Sequence, residues 1–344
     1  MTAPINPMAP QHSLEPSPSE KDFPPLADLP PVEAPSAGFI VQLFVIPALI
    51  VLVVIGVWLL FGKLAGGERD AMEYVRLIRA SSTNWRSANR AAFELASLIQ
   101  NDPKLATDPK LLGELTDLLE HQLDNVENPE ITQYVALALG RFNTLEAESS
   151  SGQKIDPISA LDRALDAKYP EPIRIAAAAS LAKHAARMEG ALDDPRPIAA
   201  LAKAAGANDS PALRQMAVYA LGFFGANATA PLRDTLGDDD RFVRFNAAVA
   251  LARRGDSAAA STLKDMLSSS RLDGVVPLDS AAEKEAKIEA IELEALNAIQ
   301  TAVSSGKPDL ARSLEPEITA LTTSGLVSVR NNAQALMTSL QEKH

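Results

Sequence analysis

The most regular feature of the chain is a spacing of apolar residues that recurs from residue 88 almost to its end. In ALRQMAVYALGFFG, residues 212–225, apolar side chains stand at offsets 0, 3, 4, 7, 8 and 11 from Leu213. A helix turns once in about 3.6 residues, so these offsets share one side. The spacing predicts a helix with one apolar stripe. Alanines at offsets 4 and 7 also predict close approach between neighbouring helices.

Seven segments carry this stripe, which argues for an internal repeat. The stripes begin at Ala88, Ile131, Ile173, Leu213, Val243, Ile288 and Val329. Second apolar-periodic segments lie between them and begin near residues 109, 157, 197, 228 and 258. A helix pair of this kind buries its stripe only by stacking on the next pair. The pattern therefore predicts an all-α solenoid.

The repeated helices resemble a known family. PALRQMAVYALGFFG and RFVRFNAAVALARRG resemble the first helices of HEAT repeats, particularly the short bacterial type also found in phycobilisome lyases. The resemblance is best over about residues 170–270 and looser over 70–340. It implies a right-handed α-solenoid of about six to seven HEAT-like hairpins across residues 68–344, and a bacterial source. Residues 268–282, SSSRLDGVVPLDSAA, depart from the pattern and predict an inserted loop.

Four of the stripe helices place an arginine one residue after the first stripe position. These arginines are Arg174, Arg214, Arg244 and Arg330. Aspartates stand in the turns before two of the helices, at Asp209 and at 238–240, with Asp239 in the middle. The family resemblance implies an intramolecular ladder, in which each guanidinium binds a turn carboxylate or carbonyl of an adjoining repeat. A row of arginines for acidic partners is the alternative.

A long apolar run precedes the repeats. No charged residue stands between Glu33 and Lys63, and the strongly apolar part, Phe39–Phe61, is 23 residues long. As a helix it would measure about 35 Å, enough for a hydrocarbon core of about 30 Å. The run predicts one transmembrane helix over residues 38–62. A cleaved signal peptide and a buried soluble helix are the alternatives, but the lead lacks a basic region and the run is apolar all round.

The flanks of this run predict its orientation. Only Lys21 precedes it, whereas Lys63, Arg69, Arg76 and Arg79 follow closely. Positive flanks stay on the cytoplasmic side, so we expect the solenoid in the cytoplasm of a bacterial inner-membrane protein and the short tail outside. The tail, residues 1–37, holds ten prolines and five acidic residues, and is predicted to be disordered.

Composition limits the chemistry. The chain has no cysteine, which excludes disulfides and thiolate sites, and its net charge of −12 argues against a dedicated nucleic-acid binder without excluding a local basic groove. Phosphate-loop, dinucleotide, zinc-peptidase and nucleophile-elbow motifs are absent from the sequence.

His184 falls on a stripe and is expected in the core, and the chain has no His-Glu dipeptide of the kind that iron-binding HEAT-like hydroxylases use. We expect no catalytic, cofactor or metal residue, and prefer helix capping to calcium binding for the aspartates at 238–240.

These features predict a membrane-anchored HEAT-repeat scaffold or assembly factor. It would bind a protein or peptide on the concave surface formed by its second helices, and the bilayer through residues 38–62. The alternative, implied only by the resemblance to lyase repeats, is a lyase- or chaperone-like protein that handles a tetrapyrrole or another small ligand. A third hypothesis is a purely structural membrane protein that oligomerises through its span.

Overall fold

The structure, a computed structural model, describes residues 70–80, 85–206, 210–273 and 280–342, together with Val51, Val54 and Ile55. The chain divides into two compact units, residues 1–68 and 69–344. In the first unit the three described residues are helical and exposed. The predicted tail and the rest of the predicted span, 38–62, lie outside the described residues. No helix among the described residues is both long enough and apolar enough to cross a membrane.

Sixteen helices form the described part of the second unit. They are α1 (Ala71–Arg79), α2 (Trp85–Asn101), α3 (Pro109–Asp124), α4 (Pro129–Leu139), α5 (Pro157–Ala164), α6 (Glu171–Arg187), α7 (Pro195–Ala205), α8 (Pro211–Leu221), α9 (Thr229–Asp234), α10 (Arg241–Arg253), α11 (Ala260–Met266), α12 (Ser269–Asp273), α13 (Ala281–Ser304), α14 (Asp309–Ser313), α15 (Glu315–Leu321) and α16 (Val327–Glu342). A two-residue antiparallel ladder, β1 (Ala147–Glu148) with β2 (Lys154–Ile155), lies between α4 and α5. The predicted all-α class is confirmed.

Several helices begin where a capping residue precedes a proline. Asp108, before α3, accepts hydrogen bonds from the backbone N–H groups of Lys110 and Leu111, at 2.9 and 3.3 Å. The proline at the first helical position loses nothing, since its missing N–H would have had no partner inside the helix. The same pairing of cap and proline starts α4, α5, α7 and α8. Local sequence thus sets where these helices begin.

Two rows of helices build the unit. In the first row, α2, α4, α6, α8, α10, α13 and α16 each contact the next, and these are the seven helices that carry the predicted stripes. In the second row, α1, α3, α5 and α7 follow in the same order. Farther along, α9 and α11 pack on α10, while α15 packs on α16. One continuous apolar core runs between the rows, from Ala71 to Leu340.

The stripe positions are buried as the spacing predicts. Leu213, Ala217 and Leu221 have no exposed surface, and neither do Val243 and Ala247 in the next copy. The alanines let the helix backbones approach, while the leucines and valines fill the space between the rows. The array is therefore held by the same residues that make its sequence repetitive.

The inserted segment differs from its prediction as a loop over 268–282. Residues 269–273 form the short helix α12, anchored by Leu272, which is 1% exposed. The hydroxyl of Ser280 accepts from the backbone N–H of Glu283, so α13 begins at Ala281, seven residues before its stripe. Residues 274–279 lie outside the described part. The loop prediction is thus wrong for the helical residues on both sides.

Polar residues on the stripes bind the backbone of the preceding first-row helix. The Ser180 hydroxyl donates to the Ala136 carbonyl at 2.7 Å, and the Asn246 amide donates to the Gln215 carbonyl at 3.1 Å. At the end of α8, Arg254 donates to the carbonyl of Leu221, the last helical residue, at 3.4 Å and to that of Phe224 at 2.8 Å. The last carbonyls of a helix have no partner within it, so such contacts satisfy them from the next repeat.

His184 is the most constrained of these residues. Its Nε2 lies 3.0 Å from the Leu139 carbonyl, and its Nδ1 lies 3.0 Å from a terminal nitrogen of Arg187. Because a guanidinium only donates, Nδ1 must accept and Nε2 must carry the proton, which defines a neutral ring. Burial, followed by the charge of Arg187, lowers the pKa of His184 from 6.5 to about 4. The histidine is a core residue, as its place on the stripe predicts.

This neutral ring predicts a pH dependence of stability. The unfolded chain takes up a proton at His184 near pH 6.5, whereas the folded chain does so only near pH 4, so stability falls as pH decreases through this window. We expect acidification across it to cost the wild type about 3 kcal/mol more than His184→Gln, at about 1.4 kcal/mol per pKa unit. Urea unfolding at several pH values measures the difference.

The control for this experiment is Ser180→Ala, which removes a buried hydrogen bond from the same helix and no titratable group. It should keep the wild-type slope of unfolding free energy against pH. Parallel slopes for the wild type and His184→Gln would show that the ring does not couple folding to protons.

Candidate functional surface

Three of the four predicted ladder arginines bind backbone carbonyls at the turn before their own helix. Nε of Arg174, whose side chain is buried, lies 3.3 Å from the carbonyl of Leu165, at the end of α5. Nη1 of Arg244 donates to the carbonyls of Asp238 and Asp239, at 2.5 and 3.0 Å. Nη1 of Arg330 donates to the Ser324 carbonyl at 2.6 Å. These guanidinium groups hold turns in place.

Arg214 reaches forward to the next repeat. Its Nε and Nη2 donate to the two carboxylate oxygens of Asp238, at 2.9 and 3.1 Å, and both side chains are mostly buried. Asp238 stands in the turn before α10, so this bidentate pair joins α8 to the following hairpin. Asp239 contributes its backbone carbonyl to Arg244, whereas the carboxylate that pairs with Arg214 belongs to Asp238. Asp209 lies outside the described residues.

The third aspartate of the turn caps a helix. Asp240 accepts from the backbone N–H of Val243 and from the side-chain amide of Gln215, both at 3.0 Å. Across the described residues, no three histidine, aspartate or glutamate side chains gather in a way that would hold a metal ion. The 238–240 turn therefore serves the packing of α8 against α10.

Aromatic rings collect on the first-row helices in three edge-to-face pairs. We define them as the aromatic pairs: Phe93–Tyr134, Tyr219–Phe223 and Phe242–Phe245, with centroids 6.2, 4.9 and 6.0 Å apart. Aromatic residues are only 5% of the chain, so their placement on one row concentrates a scarce residue class. The first pair bridges α2 and α4, the second lies at the end of α8, and the third at the start of α10.

Two of these rings are open to solvent although their helices are well packed. Phe93 is 61% exposed and Tyr219 is 43% exposed. They stand five and six residues after the first stripe position, and at about 100° per residue these offsets lie on the side away from the stripe. Neither ring is needed to fill the core. Both present apolar surface outward.

Each aromatic pair has a cation beside it. Arg86 and Arg90 line a shallow cleft of about 410 Å³ with Phe93 and Tyr134. The Arg253 guanidinium lies 5.9 Å from the centroid of Phe223. Lys287 places its ammonium 5.4 Å from the centroid of Phe242. An aromatic ring with a cation over or beside it is a contact surface suited to apolar and acidic groups together.

A deeper cleft lies at the start of the array, between α1, α3 and α4. Its volume is about 780 Å³, and its lining includes Arg79, Asp117, His121 and Gln122. Burial, then the nearby carboxylate of Glu114, raises the pKa of Asp117, while Arg79 lowers it. The carbonyl oxygen of Gln122 is buried without a hydrogen-bond partner among the described residues. The cleft thus combines apolar walls with several convergent polar groups.

Sequence reasoning missed the aromatic pairs because five of their six rings stand off the repeated stripe positions. Phe93 and Tyr219 stand at different offsets in their helices, and their partners come from offset 3 of another copy and from beyond the end of α8. One feature of the sequence could have identified Phe93 and Tyr219. Each is a large apolar residue on the predicted polar side of an amphipathic helix.

Comparison with known proteins supports a HEAT-repeat fold for part of the chain. The family model for HEAT repeats matches residues 198–276. An engineered protein is 19% identical over 80% of this chain and 69% of its own, with a TM-score of 0.41. A chain of the complex of CpcE and CpcF of phycocyanin lyase from Nostoc sp. PCC7120 is 19% identical. The match covers 80% of this chain and 96% of that chain, with a TM-score of 0.44. A chain of the Pds5–Scc1 complex is 15% identical, with 79% of this chain and 50% of that chain covered and a TM-score of 0.40.

No curated protein matches the chain significantly by sequence. The matched residues run from α7 past α12, inside the two-row array. The first-row helices of this segment, α8 and α10, contact α6 before it and α13 after it. Residues 198–276 therefore match the HEAT-repeat family, and they lie within the two-row array.

Proposed function

We propose that this protein is a membrane-anchored scaffold or assembly factor that binds a protein partner through the exposed side of its first-row helices. The observation that carries the proposal is the set of aromatic pairs with their adjoining cations. Phenylalanine, tyrosine and arginine are enriched where proteins bind one another, and a few such residues supply most of the binding energy.

The exposed rings favour a contact over a purely structural role. Phe93 and Tyr219 keep a large part of their apolar surface in water, at a cost that burial under a partner would reverse. Their edge-to-face packing on Tyr134 and Phe223 restricts ring motion, so little conformational entropy is lost when a partner covers them. Arg86, Arg90 and Arg253 would complement acidic groups at the rim.

This placement departs from the sequence-based expectation that the second helices bind the partner. In the described second row the large exposed apolar residue is Leu77, of α1, at 39%. Paired rings with adjoining cations lie on the first row. The first row therefore supplies the better candidate surface.

The anchor is part of the same proposal. It is supported by the uncharged run of residues 38–62 and by Val51, Val54 and Ile55, which are helical with 47–60% of their surface exposed. Tethering would hold the array near one membrane surface and raise its effective concentration for partners there. The lysine and arginine residues after the run favour the cytoplasmic side for the array.

The cleft at the start of the array supports a second candidate function. Its volume of about 780 Å³ falls within the usual range for small-ligand sites, about 300–1,000 Å³, and polar groups converge on it. A lyase- or chaperone-like protein that handles a tetrapyrrole or another small ligand would need such a cleft. The cleft favours this alternative, while the aromatic pairs favour a protein partner.

The partner-binding proposal is tested by removing the exposed rings. The tagged full-length chain is crosslinked in its own membranes, solubilised in detergent and purified, as wild type and as the double variant Phe93→Ala, Tyr219→Ala. We expect the wild type to retain a defined protein, and the double variant to retain it at least about tenfold less, because truncating two interface aromatics removes well over 1.4 kcal/mol. Quantitative mass spectrometry measures the recovery.

Leu77→Ala is the matched control, because it removes an exposed apolar residue from the second row. It should retain the partner fully, and circular dichroism should show all variants folded. Loss of the partner in Leu77→Ala alone would instead favour the second-row surface. A wild type that retains no protein but carries one small molecule per chain would overturn the scaffold function and favour the second candidate.

The anchor is tested by deleting residues 38–62. We expect the full chain to remain in the membrane pellet after carbonate extraction and the deletion to move to the supernatant, because the deleted residues supply the apolar surface that a bilayer would cover. Protease added to spheroplasts should leave the region after residue 70 intact. A full chain extracted by carbonate contradicts the anchor, and digestion of the array in sealed spheroplasts contradicts the orientation.

A further inference from the structure

Three basic residues meet in a small cleft at the ends of α4 and α6. Arg141 follows the last residues of α4, while Lys183 and Arg187 stand four residues apart in the last turns of α6. Together with Gln100 and Asn143 they line a cleft of about 270 Å³, which we name the basic cleft. It lies on the first row and is separate from the aromatic pairs.

Among the described residues that line the basic cleft, no carboxylate balances the positive charge. No aspartate or glutamate is among its lining residues. Burial, and then the positive charges of Arg141 and Arg187, lower the pKa of Lys183. Burial also lowers the pKa of Arg187. The net charge of the chain is −12, so a described cleft lined by three cations and no carboxylate runs against the overall charge.

Hydrogen bonding leaves one buried donor unused at the same place. Arg187 donates to the Gly140 carbonyl at 3.3 Å and to Nδ1 of His184 at 3.0 Å, which fixes its position at one wall. Nε of Arg141 is buried and has no hydrogen-bond partner among the described residues. A buried donor without an acceptor costs roughly 1–3 kcal/mol, and an anion in the cleft would recover this cost if the Arg141 side chain shifted to meet it.

The charge, the hydrogen-bond donors and the volume of the basic cleft indicate the chemical class of its ligand. Two guanidinium groups and one ammonium present several N–H donors from different directions, which suits a tetrahedral oxyanion with more than one negative charge. A water takes about 30 Å³ of liquid volume, so the cleft has room for one small anion with part of its hydration. We propose that the basic cleft binds a dianionic phosphate group, either free phosphate or a small phosphomonoester.

Inorganic phosphate is the probe for this proposal. The full-length chain in detergent at low ionic strength is titrated with phosphate at pH 8, where phosphate is mostly dianionic, and binding is followed by calorimetry and phosphorus NMR line width. We expect one saturable site, with acetate at least tenfold weaker. Arg141→Gln and Lys183→Gln should each weaken phosphate binding at least tenfold.

Two controls separate binding from folding. Arg312→Gln removes a cation that is paired with Asp309 in an exposed helix turn, away from both candidate surfaces, and should bind phosphate as the wild type does. Lys183→Gln relieves repulsion, so without phosphate its thermal midpoint should equal or exceed that of the wild type. A folded Lys183→Gln that has lost phosphate binding therefore supports the site even where Arg141→Gln folds poorly.

The outcomes that overturn the proposal are equally definite. Absence of saturable phosphate binding by the wild type refutes it, as does unchanged affinity in a folded Lys183→Gln. Equal affinity for acetate would show a general anion contact and would also overturn it. None of these results bears on partner retention by the aromatic pairs, which Lys183→Gln leaves intact.

Discussion

Close approach between neighbouring first-row helices is the constraint on which the rest of the structure depends. A Cβ atom at Gly140 would lie 2.8 Å from the Cα atom of Ser180, so α4 and α6 meet almost backbone to backbone. At this separation a short side chain such as Ser180 reaches the Ala136 carbonyl, and His184 reaches the carbonyl of Leu139. Packing and helix capping are therefore achieved by one arrangement, and a larger residue at the contact would disturb both.

The parts of the fold that depend on periodicity were predictable, since each stripe had to be buried and only stacking could bury it. The seven first-row helices and the second helices near residues 109 to 258 follow from this requirement. The contacts that depend on a choice among similar neighbours were not predictable. Nothing in three consecutive aspartates indicates that the carboxylate of Asp238, rather than that of Asp239, pairs with Arg214. The early start of α13 depends on one serine cap within a segment full of turn formers.

The candidate surfaces were less predictable than the fold for a related reason. Repetition identifies residues that every copy must keep, whereas the aromatic pairs and the basic cleft are formed by residues that individual copies have and others lack. Arg141, Lys183 and Arg187 come from two helices and become neighbours only through the stacking of α4 on α6. In this protein, the uniform core sets the distances, and residues outside the repeat supply the chemical differences along the array.

The neighbour-only contacts of the first row also have a mechanical consequence. In the described residues each of these helices touches the one before and the one after, so tension applied along the array passes through every interface in series. The interface with the weakest resistance then determines where the array first extends. The junction of α8 and α10 is reinforced by the Arg214–Asp238 pair and by two side-chain amide contacts, whereas an interface closed by apolar packing alone would separate more readily. Each polar contact between neighbouring first-row helices thus adds to the force that is needed to separate them, and the number of such contacts sets the order in which the junctions open.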